Sequence, residues 1–289
     1  MKTDVSKIPR SNAVEYGKVC RNFLPIEQHV YKKALRKKRG FIGKVKRKIK
    51  KLTGNYEVKD DFEWDRYHFH YRAEIEWHDR LFTLNVGEVD FRFIDHRLYL
   101  PGDCKPVHPS HRCLWEAVCN LPAFRSIAEI GTGAGYHLVS LKSILGKGIA
   151  FSGYDLSAMQ LGLFQEYFPA VFGTVRTGVL DISERPIGEA DHPDVVFEAT
   201  VIMHIKRPSA YKAALSNFLR SANRFAVILD NYTAHDYFTD LSRMAEGTGM
   251  KLYYFDSGAC IAIVVSLDGT HLDWPYQPLA DGNTLQKYA

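Results

Sequence analysis

The stretch Ser126-Ile-Ala-Glu-Ile-Gly-Thr-Gly-Ala-Gly-Tyr-His137 decides how the rest of this 289-residue chain is read. Ile127 to Ile130 is a short apolar run of the kind that forms a buried strand. Gly131, Gly133 and Gly135 follow at alternate positions, and Leu138, Leu141, Ile144 and Leu145 then recur at helical spacing. Strand, glycine turn and helix in succession let the backbone come close to a nucleotide-like ligand. A dinucleotide fingerprint, G-x-G-x-x-G, would need its third glycine at position 136, where this chain has Tyr136. The pattern is instead Glu129-x-Gly-x-Gly-x-Gly, with a carboxylate just inside the strand end.

Downstream the chain alternates. Ile149 to Tyr154 reads as a strand ending at Asp155, with a helix from Ser157. Val171 to Thr177 reads as a strand, followed by Asp181 in a loop. Asp194 to Phe197 is a strand ending at Glu198, and Pro208 to Ala222 a helix with proline at its start. Phe225 to Leu229 is a strand ending at Asp230-Asn231, and Ala234 to Ala245 a helix closed by Gly247 and Gly249. Then the alternation breaks. Leu252 to Phe255 and Cys260 to Ser266 are joined by only Asp256-Ser-Gly-Ala259, which makes them an antiparallel hairpin.

The glycine pattern, together with this order, resembles the class I S-adenosylmethionine (SAM) dependent methyltransferases over roughly residues 110–267. The resemblance implies an α/β, Rossmann-like, seven-stranded sheet whose last strand is antiparallel. It implies SAM as cofactor, with Glu129, Gly131, Thr132, Gly133 and Gly135 around its ribose and methionine portion. Asp155 matches the carboxylate that holds the ribose hydroxyls, and Leu156 would lie against the adenine. Asp181 matches the acceptor for the adenine amino group, with Ile182 beside it. Glu198 opens the segment that faces the methionine part. Asp155 and Asp181 read alone are also ordinary caps of helices or turns.

His204, a few residues past the fourth strand, is where many small-molecule methyltransferases of this class carry a histidine. An alcohol nucleophile must lose a proton, and imidazole is suited to take it. His204 is therefore the candidate general base, or else a residue that orients its loop. The segment is also similar to the E-x-x-E-H metal-binding segment of ubiquinone-pathway and small-RNA methyltransferases. Its two glutamate positions here are Thr200 and Met203, so no metal is assigned to it. Glu198, Asp230 and Asn231 remain an alternative set, resembling catechol-type enzymes.

The acceptor is approached by elimination. The Asn/Asp-Pro-Pro-aromatic motif of base amino-methyltransferases is replaced by Glu198-Ala-Thr-Val201, and no cysteine follows a proline as in the 5-methylcytosine enzymes. A hydroxyl of a small molecule or a sugar or glycan is the expected acceptor. RNA ribose methylation and non-catalytic SAM binding are the alternatives.

The flanks read differently. Lys32 to Lys51 holds twelve Lys or Arg and no acid, so the +5 net charge is concentrated in one arm and the body is mildly acidic. Phe41, Val45, Ile49 and Leu52 place an apolar stripe on a basic helix across 31–52. An anionic membrane surface, the body of the protein and nucleic acid compete for it, and the stripe disfavours nucleic acid. Residues 1–60 are read as this arm. From 61 to 105 a small antiparallel β element is expected: Tyr67, Phe69, Tyr71, Ala73, Ile75 and Trp77 alternate with polar residues, and Val86-Gly-Glu-Val89 reads as a hairpin turn. His68 and His70 would share one strand face. Ser110 is expected to cap the next helix, and His108 and His111 fall on the substrate side. The methyltransferase domain spans 106–267 and a polar tail 268–289. Five scattered cysteines without a C-x-x-C pair, no long apolar run and no signal-like N-terminus point to the cytoplasm, with the arm at the inner membrane face.

Overall fold

A computed structural model describes residues 64–286, all within one compact unit spanning Lys59–Ala289. The basic arm and its predicted helix lie outside the described residues. Among the described residues no helix is long and apolar enough to cross a membrane.

The central sheet has the strand order β10-β8-β9-β7-β6-β3-β4-β5. Its strands are β3 (Ser126–Ile130), β4 (Ala150–Asp155), β5 (Arg176–Val179), β6 (Val195–Ala199), β7 (Phe225–Leu229), β8 (Lys251–Asp256), β9 (Ile261–Ser266) and β10 (Tyr276–Pro278). Strands β3 to β7 run parallel, while β9 is antiparallel to both β7 and β8. The inner strands are buried on both faces, so Phe225-Ala-Val-Ile-Leu229 and Ile261-Ala-Ile-Val-Val265 read as unbroken apolar runs.

Alternate residues of each strand feed two cores. Val195, Phe197, Val227 and Leu229 pack with Leu114, Val118, Leu138 and Leu141 of helices α2 (Pro109–Cys119) and α3 (Tyr136–Leu145). Val196, Ala226 and Ile228 pack on the other face with Leu215, Phe218 and Leu241 of α6 (Pro208–Arg220) and α7 (Tyr237–Ala245). The result is three layers, helix on sheet on helix. α4 (Ala158–Tyr167) and the short α5 (Pro169–Phe172) follow β4.

The segment 61–105 is the main correction. Trp64–Leu81 is a helix, α1, and not a strand. Period two and period 3.6 share the i, i+4 pair Tyr71 and Ile75, so alternation alone did not separate them. The faces do: Ile75 is 5% exposed while Trp77, two residues on, is 41% exposed. The expected placement of the His68 and His70 side chains lies outside what the structure describes. Arg72 reaches across to α4 with a fork of two bonds to Glu166, 2.6 and 2.7 Å. Val86–Glu88 is a 3₁₀ turn capped by Asn85. The β element shrinks to β1 (Arg92–Ile94) and β2 (Arg97–Tyr99), joined by Asp95 and His96 with φ of 47° and 66°. That is a two-residue turn of the twisted hairpin kind.

Smaller corrections follow. His108, not Ser110, caps α2, with Pro109 in its first turn. Val171 belongs to α5, and the third parallel strand starts only at Arg176. The helix expected from Ala234 begins at Tyr237 behind its cap Asp236. The polar tail is packed: Leu272, Tyr276, Leu279 and Leu285 are buried, and β10 adds an eighth strand antiparallel to β8. A last helix, α8 (Asn283–Gln286), ends the described chain.

Candidate functional site

The strand order reverses between β3 and β6, and an open sheet binds ligands off the carboxyl ends at such a point. The glycine turn sits there. The N–H groups of Gly131 and Thr132 both donate to the Tyr154 carbonyl, at 2.7 and 3.1 Å, folding the turn over the tip of β4. Gly131 has φ of 76°, and a Cβ there would lie 2.2 Å from Cγ2 of Val201 in the segment after β6. Only glycine lets the two strand ends close up in this way.

Asp155 ends β4 and receives two backbone donors: Gly133 N–H on Oδ2 and Ser157 N–H on Oδ1, each at 2.9 Å. An ionised carboxylate only accepts, which suits it to ligand hydroxyl donors. Leu156, next in the chain, is 48% exposed on the same cleft. Asp181 accepts the N–H and hydroxyl of Ser183 on one oxygen, Oδ1. Ile182 is buried beside it. A cleft of about 630 Å³ is lined by Glu129, Gly131, Thr132, Gly133, Asp155, Leu156, Asp181, Ile182 and His204. The expected residues from four separate strand ends therefore meet in one place.

β9 inserted antiparallel between β7 and β8, beyond a parallel half-sheet that reverses at β3, is the deciding feature. The fold is the class I methyltransferase fold.

No family model matches the chain, and no curated protein matches it. Among solved structures, a carbon methyltransferase, CurJ, aligns at 16% identity and a TM-score of 0.42 over 55% of this chain and 54% of its own. This chain thus spans about half the length of that protein. A SAM-dependent methyltransferase from Aquifex aeolicus aligns at 15% identity and 0.40, over 53% and 88%. The N-methyltransferase NodS from Bradyrhizobium japonicum, in complex with S-adenosyl-L-homocysteine, aligns at 14% and 0.38, over 50% and 77%. The strand order and the glycine turn define the fold.

Two expected residues do not line this cleft. Gly135 heads α3 and packs against Phe164. Glu198 is fully buried, and its Oε2 accepts the N–H groups of Val201 (2.8 Å) and Ile202 (3.4 Å). Its Oε1 is buried without a hydrogen-bond partner, while through Oε2 it holds the loop after β6. Asp230, at the tip of β7, does the same for Met203 N–H at 2.8 Å and also accepts the Tyr237 hydroxyl. Burial pushes both carboxyls upward, Asp230 to about 6, and the neighbouring Asp230 raises Glu198 further. Two members of the alternative metal set, Glu198 and Asp230, thus tether the loop, and among the described residues no three His, Cys, Asp or Glu side chains group as metal ligands.

The tethered loop carries Thr200 at φ 59°, a conformation unusual for a β-branched residue. It also presents His204, whose imidazole is shifted down by burial and then by Lys206. His204 is therefore neutral near pH 7, the form a base requires. Glu129 is 1% exposed, with Oε2 lacking any hydrogen-bond partner. Burial, then Asp155, drives its carboxyl well above the usual range. A buried orphan carboxylate beside a cleft suits a cationic group of a ligand.

The far wall was not legible in the glycine motif. Tyr71, Glu74, Ile75 and His78 of α1, His111 of α2 and His137 of α3 complete the cleft. Burial raises the Tyr71 phenol, and the Ala134 backbone hydrogen-bonds to it over the turn. His111 carried a sequence signal as a residue expected on the substrate side. His137 stood inside the quoted stretch and showed none.

Proposed function

We propose that the protein is a SAM-dependent methyltransferase that methylates a hydroxyl of a small molecule or of a sugar or glycan. The observation that carries this is the convergence of Glu129, the Gly131–Gly133 backbone, Asp155 and Asp181 on one cleft at the reversal of the sheet. The donor set fits the cofactor: acceptors for ribose hydroxyls at Asp155, an acceptor for an amino group at Asp181, and an unpaired buried carboxylate at Glu129 for a cation. S-adenosylmethionine supplies an electrophilic methyl group on a sulfonium sulfur.

The chain's own contribution is positioning and proton removal. Leu156 and Ile182 give an apolar seat for a purine. Glu198 and Asp230 fix the loop that aims His204 at the cleft. Holding the reacting groups in line accounts for up to about 7–11 kcal/mol of a barrier. Neutral His204 would accept the proton of the acceptor hydroxyl. The basic segment 31–52 would bring this chemistry to an anionic membrane surface, a role supported by its charge and apolar stripe alone.

Calorimetry with SAM and S-adenosyl-L-homocysteine, followed by transfer of a radiolabelled methyl group to glycan, lipid and RNA extracts, tests the reading. Cofactor binding with label in a hydroxylated glycan or small molecule is expected. Label confined to RNA, or no cofactor heat, overturns it.

A further inference from the structure

Four imidazoles follow one another at short range beside the cleft. His78 lies 5.9 Å from His108, His108 lies 5.3 Å from His111, and His111 lies 4.6 Å from His137, centroid to centroid. His78, His111 and His137 line the cleft.

The protonation of two of them follows from their partners. Trp115 Nε1 meets His137 Nδ1 at 3.1 Å. Indole N–H can only donate, so His137 Nδ1 is the bare, accepting nitrogen. Burial, then His108, lowers His137 to about 4, so the ring is neutral at pH 7 and its one proton sits on Nε2. His111 Nδ1 is shut away from solvent with no hydrogen-bond partner. Burial and the neighbouring imidazoles keep that ring neutral as well. Leaving an N–H buried and unpaired is the worse arrangement, so the proton of His111 also goes to Nε2.

Two neutral rings set edge to face, at 81° between planes, therefore each carry an N–H that meets no acceptor among the described residues. Two donors without an acceptor call for a ligand group that only accepts, and an ionised carboxylate is that group. We propose that His111 and His137 form a carboxylate-binding subsite in the wall of the cleft. This rests on the methyltransferase reading, in which the carboxylate comes either from the hydroxylated acceptor, as in a sugar acid, or from the amino-acid end of the cofactor.

The test uses the full chain with ¹⁵N-labelled histidine and the variants His111→Phe and His137→Asn. With no ligand at pH 7, nitrogen shifts of the wild-type protein are expected to show both rings neutral with the proton on Nε2. A ring protonated on Nδ1, or charged, overturns the proposal without any variant having to fold. S-adenosyl-L-homocysteine and 5′-methylthioadenosine, which lacks the carboxylate, are then titrated by calorimetry. A tenfold or greater loss for the first and less than twofold for the second in the variants assigns the cofactor's carboxylate. Unchanged affinities for both, with D-glucuronate but not D-glucose shifting the two ring signals of the homocysteine-saturated wild type, assign the acceptor's. If neither carboxylate source responds, the subsite does not exist, while cofactor heat alone still upholds the methyltransferase reading.

Discussion

The backbone N–H of Gly133 donates to Oδ2 of Asp155 at 2.9 Å, which fastens the glycine turn to the tip of the neighbouring strand. Asp155 therefore shapes the turn as well as facing the cleft. Asp155→Ala leaves the N–H groups of Gly133 and Ser157 unpaired and is expected to weaken S-adenosyl-L-homocysteine binding at least tenfold. Asp155→Asn turns one oxygen into a donor that faces an N–H, so it should rescue little. Calorimetry on the pair checks this; full affinity in the asparagine variant would mean that the carboxylate is not the ribose acceptor.

Gly131→Ala should destabilise the protein by about 1–3 kcal/mol from the left-handed backbone alone, with further loss from the 2.2 Å approach to Val201. Adding Val201→Ala should recover the second part only. Urea unfolding of the single and double variants separates the two, and complete recovery would show that backbone conformation is immaterial there.

Asp230 connects stability to pH. Its folded value, about 6, lies above the ordinary aspartate value of 3.8, so the folded state binds the extra proton between those limits. Stability should thus fall as pH rises from about 4 to about 6. Asp230→Asn should flatten that slope while keeping one acceptor oxygen for Met203. Chemical unfolding at pH 4, 5, 6 and 8 measures it; an unchanged slope would place the proton elsewhere.

Glu129 opposes stability to function. With its carboxyl raised by burial, ionisation at neutral pH costs folding free energy that Glu129→Gln removes. The variant should melt at a higher temperature at pH 8 than the parent yet bind SAM more weakly. Tighter binding by the variant would contradict the pairing of Glu129 with a cation.

His204 should set the acid limb of the pH–rate profile, and that limb should fall below the ordinary histidine value because burial lowers its pKa. His204→Ala should reduce kcat about 10²–10⁴-fold, the usual worth of a general base. A variant with full turnover and the parent's profile would leave His204 a loop residue.

Much of the sheet was legible because a strand buried on both faces is apolar almost throughout. Ile127–Ile130, Phe225–Leu229 and Ile261–Val265 admit no other reading, and the acids at positions 155, 181, 198 and 230 mark where strands stop. α1 was misread because Tyr71 and Ile75 satisfy both periods. β10 was missed because Tyr276-Gln-Pro278 is too short and polar to declare itself; it becomes a strand by finding the open edge of β8.

Residue types at strand ends are written in the chain itself, since register and burial dictate them locally. By itself the sequence thus determined the α/β class, the glycine turn and the carboxylates at 129, 155 and 181. Which way a side chain turns, and what it meets there, depends on elements far away in sequence. Only the tertiary structure turned Glu198 inward onto the loop, laid Tyr71 over the glycine turn, and set His111 against His137 across the gap between two helices.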